Sequence, residues 1–430
     1  MRPTGRASNR PFYGWVIVAV MWLVNFSTMA TGNLSFGLFV LPMGGALGMS
    51  RSQFGWAVTT RRLAAGLSSY MVGRLLDRYG PRVLIPVSAA IIGVALIVLS
   101  RAGSPWQVIA IFGVLGMTGL AAPQNIMTLV PVAKWFQRKR GMALALAATG
   151  LGIGGVFFLP ITQLLLDHIG WRSTWVVMAV VFMALSVPLS AIFLRRQPAD
   201  MGLELDGGPP AASRGGVPGQ TAMPVTEETS WTVREAFRTG AMWRLLLAFV
   251  LSGIAQGGTS VHRIPYWIEN GFNAQLVSFS FAGDAAGAAT MALFAGWMAD
   301  RVPIRIIGAG SFLGLAAAMG LALAGRNEYF LFGSGITFGL SVGAGMILHS
   351  YIFAEYFGRA FLGSIRGIVL PVMLISNAIG APLVGYIHDS TGSYVSSWWM
   401  ILSIYLLAAV IISTARRPAP LATKAGTPAL

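Results

Sequence analysis

A chain of 430 residues with 55% hydrophobic and only 10% charged residues cannot cover a soluble surface of its size, because a globular protein carries roughly 25% charged residues to face water. Its 30 Lys+Arg outnumber 14 Asp+Glu, for a formal net charge of +16, and there is no cysteine. Disulfides, thiolate metal sites and cysteine nucleophiles are therefore excluded, and the mean hydropathy of +0.69 is that of a membrane protein with many spans.

Each membrane-crossing helix needs about 20 mostly apolar residues. Taken in chain order, twelve such runs are read at about 13–42, 53–73, 83–101, 105–133, 141–166, 173–194, 241–267, 275–298, 304–324, 329–354, 361–386 and 394–414. The first has no small-residue cleavage site behind it and is long enough to be a true span rather than a removable leader. Between the sixth and seventh lies a polar stretch, Gln197 to Gly240, containing Gly207-Gly208-Pro209-Pro210 and Gly215-Gly216-Val217-Pro218, the composition of a flexible linker. The expected fold is all-α and integral to the membrane. Its twelve transmembrane helices form two pseudo-symmetric six-helix bundles, residues 1–196 and 241–430, joined by a cytoplasmic linker, residues 197–240.

Loop charge sets the orientation. With the N-terminus on the cytoplasmic side, 22 of the 30 Lys/Arg fall on that side. Five fall outside (Arg51, Arg101, Arg172, Arg263 and Arg326), and three lie within spans (Arg61, Arg62 and Arg366). Both termini are expected to be cytoplasmic. The positive charge is thus a topology signal, and nucleic acid is not an expected partner.

The second span ends Gly73-Arg74-Leu75-Leu76-Asp77-Arg78, and the eighth ends Gly296-Trp297-Met298-Ala299-Asp300-Arg301. A shared Gly-x-x-x-Asp-Arg at the same helix of each half makes the halves repeats. Glycine permits close helix approach, and Asp-Arg at a helix end forms ion pairs and caps neighbours. Gly73, Asp77, Arg78, Gly296, Asp300 and Arg301 are therefore expected to act as a conformational latch.

These residues resemble the loop signature of the major facilitator superfamily, whose 6+6 layout and central linker this chain shares. Three stretches resemble its monocarboxylate transporter and oxalate–formate antiporter branch. They are Pro11-Phe12-Tyr13-Gly14-Trp15-Val16, the run Trp135–Ala143 continuing through Ala147, Gly150 and Gly154-Gly155, and Glu355–Arg359 followed by Gly380, Pro382 and Tyr386. In that branch the eighth helix commonly carries an arginine and an acid where this chain has Ala292 and Ala288, a departure from a simple proton-coupled carrier. Without the family, the small residues Gly141, Ala145, Ala148, Gly152 and Gly155 read as a packing face.

An ionisable residue near the midplane is a functional candidate by default. Arg61 and Asp284 each lie sixteen residues before their signature aspartate, about 24 Å along the helix at 1.5 Å per residue. They occupy equivalent repeat positions. Arg61, with Arg62 beside it, is expected to supply the cation for an anionic substrate, and Asp284 the proton site. A structural Arg61–Asp284 pair is the alternative. Asn25 and Asn33 on the first span, Gln124 and Asn125 on the fourth, Gln256 on the seventh, and His349 and Tyr351 on the tenth can hydrogen-bond a carboxylate without burying another charge. The resemblance implies that these helices line the cavity. Arg366 is placed in the inner vestibule. His262, Arg263, Tyr266 and Glu355 are read as rim or gate residues.

Four histidines show no metal-ligand spacing, and neither a Walker loop nor a strand-borne dinucleotide fingerprint is present. The expectation is no enzyme, no cofactor and no metal. The function read is secondary active transport of a small organic anion, a mono- or dicarboxylate, by alternating access through proton symport or anion exchange. The bilayer and protons are its other partners, a single chain its working unit, and a bacterial-type inner membrane its location. Efflux of drugs or metabolites and a transport-inactive sensor are the alternatives.

Overall fold

The computed structural model describes residues 12–32, 34–120, 126–136, 139–203, 231–299, 301–358 and 361–418. Gln124, Asn125, Asp300, Asn33 and Arg359 lie outside the described residues, as does most of the linker. Among the described residues the secondary structure is helical throughout. The helices are α1 (Gly14–Thr28), α2 (Phe36–Leu47), α3 (Arg51–Tyr79), α4 (Pro81–Ser100), α5 (Pro105–Met117), α6 (Ile126–Trp135) and α7 (Arg140–Phe193). They continue with α8 (Val233–Phe237), α9 (Gly240–Glu269), α10 (Ala274–Ala299), α11 (Ile304–Ala324), α12 (Glu328–Phe357), α13 (Leu362–Thr391) and α14 (Val395–Thr414).

Nine segments among the described residues are long and apolar enough to cross a membrane. One of them, 141–193, is two passes meeting at Gly170, whose φ of 71° and ψ of 169° turn the chain back. The helix α3, 29 residues long with Arg61 and Arg62 at mid-length, is another pass, and the α5–α6 pair supplies the last. The total is twelve.

Two spans read as continuous runs are broken instead. The first stops at a 3₁₀ turn, Met29–Thr31, and at Gly32 with φ 76°, and then resumes as α2. The fourth stops at Thr118 and Gly119 with φ 72°, and resumes as α6. Glycine takes positive φ without the Cβ clash that stops other residues, so each Thr-Gly pair ends a helix inside an apolar run. Within membranes such breaks are tolerated where they line a cavity or are covered by protein.

Two buried cores follow the two halves of the chain. The first gathers Ile17, Phe54, Phe112, Trp135 and Trp175, with Phe39 stacked on Trp175 at 4.0 Å between ring centroids. The second gathers Phe249, Trp267, Phe312, Trp398 and Tyr405. The linker's end is anchored to the second, since Trp231 is buried and its backbone N–H donates to Phe357 O. Of the small-residue face read on the fifth span, Gly152 and Gly155 pack against another helix, whereas Gly141, Ala145 and Ala148 are exposed on the side of the open cleft. A side chain at Gly150 would strike the Trp22 carbonyl and one at Gly154 the Phe26 backbone, while Gly152 and Gly155 face Ala289 and Ala285 of α10.

The halves meet along two antiparallel helix pairs that close at one end only. Along α3 and α13, Gly385 abuts Arg51–Ser52, Gly55 abuts Ala381–Pro382, Thr59 Oγ1 donates to Ala378 O, and Gly66 abuts Leu374. Beyond that point Tyr70 is 68% exposed, and Gly73 and Gly367 have open space beside them. Along α7 and α10 the contacts run from Pro160 and Gln275 to Gly152 and Ala289, and then stop, with Gly141 and Gly296 unopposed. The result is a V that opens toward the end where the described chain begins at Phe12 and finishes at Pro418. From Gly66 to Tyr79 is thirteen residues, a cleft about 20 Å deep at 1.5 Å per residue.

Candidate transport site

Arg61 lies between the two broken helices. Its Nη2 donates to Thr31 Oγ1 at 3.2 Å and its Nη1 to Thr31 O at 3.4 Å, both at the α1–α2 break. The guanidinium carbon stands 5.9 Å from the centre of the Phe112 ring on α5. The close packing continues through the backbone, because a side chain at Gly116, just before the second break, would strike Arg61 O. Arg61 is 5% exposed, and its Nε has no hydrogen-bond partner.

Arg62, turned about 100° round the helix, reaches across the seam instead. Nη1 donates to Asn377 O of α13 at 3.4 Å and Nη2 to Ser260 Oγ of α9 at 3.2 Å. It sits one turn above Gly66, where contacts between the halves cease, and is half-buried at the apex of the V. Among the described residues neither arginine has a carboxylate within ion-pair distance; the pairs formed are Arg51–Glu269, Lys134–Asp77, Arg263–Asp284 and His388–Glu269.

Asp284 does not meet Arg61. Its carboxylate Oδ2 accepts from Arg263 Nη1 at 2.8 Å, and both side chains are largely buried. Arg263 also lies over Phe281 and Phe338, 4.6 and 3.6 Å from the ring centres. The structural pair expected for Asp284 therefore exists with a different cation. The reason is that α9 runs unbroken through Pro265 to Glu269, which carries Arg263 inside the bundle rather than onto an outer loop. His262 and Tyr266 move with it and are buried, not rim residues. His262 Nε2 lies 2.9 Å from Ala381 O, and Tyr266 Oη donates to Ala322 O at 2.6 Å.

Asn25, His349, Tyr351 and Glu355 do not converge on this apex, and Asn33, Gln124 and Asn125 lie outside the described residues. Asn25 is buried, and its amide donates to Ala147 O at 2.8 Å, tying α1 to α7. The His349 ring lies tilted at 38° with its centre 4.5 Å from that of Phe249, with Nδ1 against Gly345 O and its own carbonyl accepting from Arg366 Nη2 at 3.1 Å. Since Gly339 is the residue of α12 that abuts Asp284, His349 lies about 15 Å further toward the open end. Tyr351 is 46% exposed. Glu355 lines, with Pro303, Arg305, Tyr356, Arg416 and Arg417, a hollow at the terminal end of the second half. The residue missed in the sequence is Thr31, whose carbonyl and hydroxyl both face Arg61. The signal for it was the Thr-Gly pair repeated at Thr31-Gly32 and Thr118-Gly119.

The described latch residues stay within their own halves in this state; Asp300 lies outside the described residues. Lys134 Nζ donates to Asp77 Oδ1 at 2.9 Å, and Arg196 donates to Asp77 O. The Lys134 hydrogen bond and charge hold the exposed Asp77 carboxyl below the usual carboxylate range. Arg78 lies over Tyr79 and Arg301 over Trp297. The close helix approach expected at Gly73 and Gly296 is absent here, because both border the open cleft.

A sequence model described as Major Facilitator Superfamily matches residues 21–270 and 263–429. Monocarboxylate transporter 11 of Homo sapiens is 27% identical over 413 residues, covering 93% of this chain and 82% of that protein. The uncharacterized MFS-type transporter YcxA of Bacillus subtilis (strain 168) is 23% identical over 399 residues, covering 88% and 89%. Among solved structures, a bacterial homolog of the human lysosomal transporter Spinster, inward-facing and unoccupied, superposes with a TM-score of 0.70 at 14% identity, over 95% of this chain and 98% of that one. That likeness establishes the fold.

Proposed function

The chain belongs to the major facilitator superfamily, and from that premise we propose that it moves a small organic anion, a mono- or dicarboxylate, through the cleft between its halves. The observation that carries this reading is an unbalanced charge. Two adjacent guanidiniums lie deep in a membrane-spanning helix, and among the described residues no carboxylate balances them. An uncompensated charge at that depth is costly. A transported anion entering the open cleft supplies the counter-charge at its apex. Arg62 offers the planar fork that grips a carboxylate through two hydrogen bonds, and Arg61 adds field from one side chain deeper. Similarity to relatives such as Monocarboxylate transporter 11 supports this chemistry.

Alternating access follows from the V. Residues 1–196 and 241–430 rock as two bodies about the seam, so that the open end closes while the sealed end parts. Gly73 and Gly296 then meet opposing helices, and Asp77 with Arg78, and Asp300 with Arg301, hold that closed end. The excess of Lys/Arg on the terminal side supports a cytoplasmic position for that end, and on that reading the described state faces inward. The site lies within one chain, which works as a monomer in an inner membrane.

For coupling, the Arg263–Asp284 ion pair favours anion exchange, since it keeps the carboxylate engaged. Asp284 is also the carboxylate, among the described residues, most distant from any helix end. Proton symport, if it operates, runs through Asp284. The test is proteoliposome counterflow across a panel of carboxylates, with and without a pH gradient. Carboxylate exchange that is indifferent to the gradient supports the reading. Flux confined to bulky hydrophobic cations overturns it in favour of efflux, and ligand binding without flux in favour of a sensor. Accumulation driven by the gradient and lost in Asp284→Asn replaces exchange with symport.

A further inference from the structure

At the sealed end of the V, three helix ends meet: the N-terminus of α3 from the first half, and the C-termini of α9 and α13 from the second. Arg51 Nη2 donates to Glu269 Oε1 at 2.6 Å. The backbone N–H groups of Arg51 and Ser52 donate to Asp389 Oδ1 and Oδ2 at 2.9 and 3.0 Å. His388 Nε2 lies 3.3 Å from the other Glu269 oxygen, with its ring 4.1 Å from that of Tyr394. Arg51 is held to its own half by a bond to Val40 O at 3.4 Å. Arg51–Glu269 is the ion pair that joins the halves among the described residues, since Lys134–Asp77 and Arg263–Asp284 each stay inside one.

We propose that Arg51, Glu269, His388 and Asp389 form the gate of the sealed end, a polar clasp that closes when the cleft opens and must part once in each transport cycle. Position and chemistry argue for it. Asp389 places a full negative charge on the unsatisfied N–H groups at the start of α3, where the helix dipole strengthens the bond. That carboxylate belongs to the opposite half. A helix ordinarily capped by its own chain neighbour is here capped across the seam as well, because Ser50 supplies the local cap through Gln53 N. The cross-seam bonds are thus surplus to helix stability and specific to this arrangement of the halves. Gly385 lets the two backbones close to contact beside them. Glu269 and Asp389 are exposed at their helix ends, while the Arg51 and His388 side chains are only 15% and 16% exposed, so it is the carboxylates of the clasp that part into solvent. A structural bond meant to be permanent has no need of that property.

The inference rests on the alternating-access reading but not on the substrate assigned above. The absence of cysteine supplies a clean background for site-directed labelling. Val261→Cys reports on the sealed end: Val261 is 2% exposed and packs into the core of the opposite half. Tyr70→Cys reports on the open cleft. Each reporter is reacted with a polar maleimide in nanodiscs, alone and combined with Asp389→Ala or Glu269→Gln. Weakening the clasp should raise the labelling rate at position 261 by about tenfold, the shift expected when charge-assisted bonds favouring one conformer are lost, and lower it at position 70. Arg51→Lys, which keeps the charge, should stay near the parent. Unchanged rates at both reporters in either well-folded variant overturn the gate. The two readings fail separately: normal carboxylate exchange with no labelling shift removes the gate alone, and a labelling shift in a protein that binds no carboxylate removes the substrate alone.

Discussion

Removing one member of the Arg263–Asp284 pair should damage the protein more than removing both. The pair is direct, at 2.8 Å, with side chains 5% and 16% exposed. Charge centres about 4 Å apart at an effective dielectric near 20 attract by about 4 kcal/mol, and breaking such a pair from one side typically costs about 3–5 kcal/mol because a charge is left uncompensated. Asp284→Asn keeps an acceptor oxygen for Arg263 and should fall near the lower bound, about 3 kcal/mol. Arg263→Gln should cost less, since a stranded carboxylate can neutralise itself with a proton while a guanidinium cannot. The double variant restores neutrality and should be the mildest. With each half about 200 residues long, 3 kcal/mol corresponds to roughly 6–12 °C in apparent melting temperature, readable by fluorescence-detected unfolding in detergent. Additive losses in the double variant, or an Asp284→Asn protein melting with the parent, would refute an electrostatic bond between these residues.

Gly150→Ala should lower the melting temperature by an amount equivalent to about 1–3 kcal/mol of overpacking, because its Cβ would strike the Trp22 carbonyl; Gly141→Ala, facing open space, should be neutral in the same assay. Asp77→Asn should slow turnover in proteoliposomes while leaving substrate affinity unchanged, since Asp77 is bonded to Lys134 at the terminal end and away from the apex. Because its carboxyl is held low, that bond is fully formed above the ordinary carboxylate range and is lost only as pH falls through the lowered value; the turnover difference between parent and variant should therefore persist from neutral pH down to about pH 4. Arg61→Gln should weaken substrate binding and Arg61→Lys should retain part of it, read by equilibrium binding; equal affinities in both would remove Arg61 from the site.

Much of the architecture was legible because a bilayer imposes strong rules. Apolar run length located the passes, and the paired Gly-x-x-x-Asp-Arg signatures exposed the repeat. Small-residue spacing made the packing of Gly152 and Gly155 on α7 readable, but it also picked out Gly141, Ala145 and Ala148, which are exposed. The partner of Asp284 was not legible. Repeat symmetry gives depth along a helix, and Arg61 and Asp284 do share depth, but symmetry also puts them in different halves. Arg263 falls within the last turns of the seventh span and so reads as an outer-loop or rim residue, yet α9 continues to Glu269 and holds it inside the bundle. The breaks in the first and fourth spans escaped hydropathy for the same reason that they matter: Met29–Gly32 and Met117–Gly119 are too apolar to look like loops. Their glycines at φ 76° and 72° are tertiary choices, which bring Thr31 and the end of α5 against Arg61.

The central claim is that the uncompensated guanidinium at the cleft apex holds the substrate's carboxylate. The most direct measurement is the equilibrium affinity of the purified protein for its exchanged carboxylate, compared among the parent, Arg62→Lys and Arg62→Gln at constant ionic strength. A charge-assisted hydrogen bond contributes about 1.5–3 kcal/mol, so Arg62→Gln should lose about 10- to 100-fold in affinity. Arg62→Lys, retaining charge but not the fork, should fall between the two. Parent-like affinity in a folded Arg62→Gln protein would contradict the account.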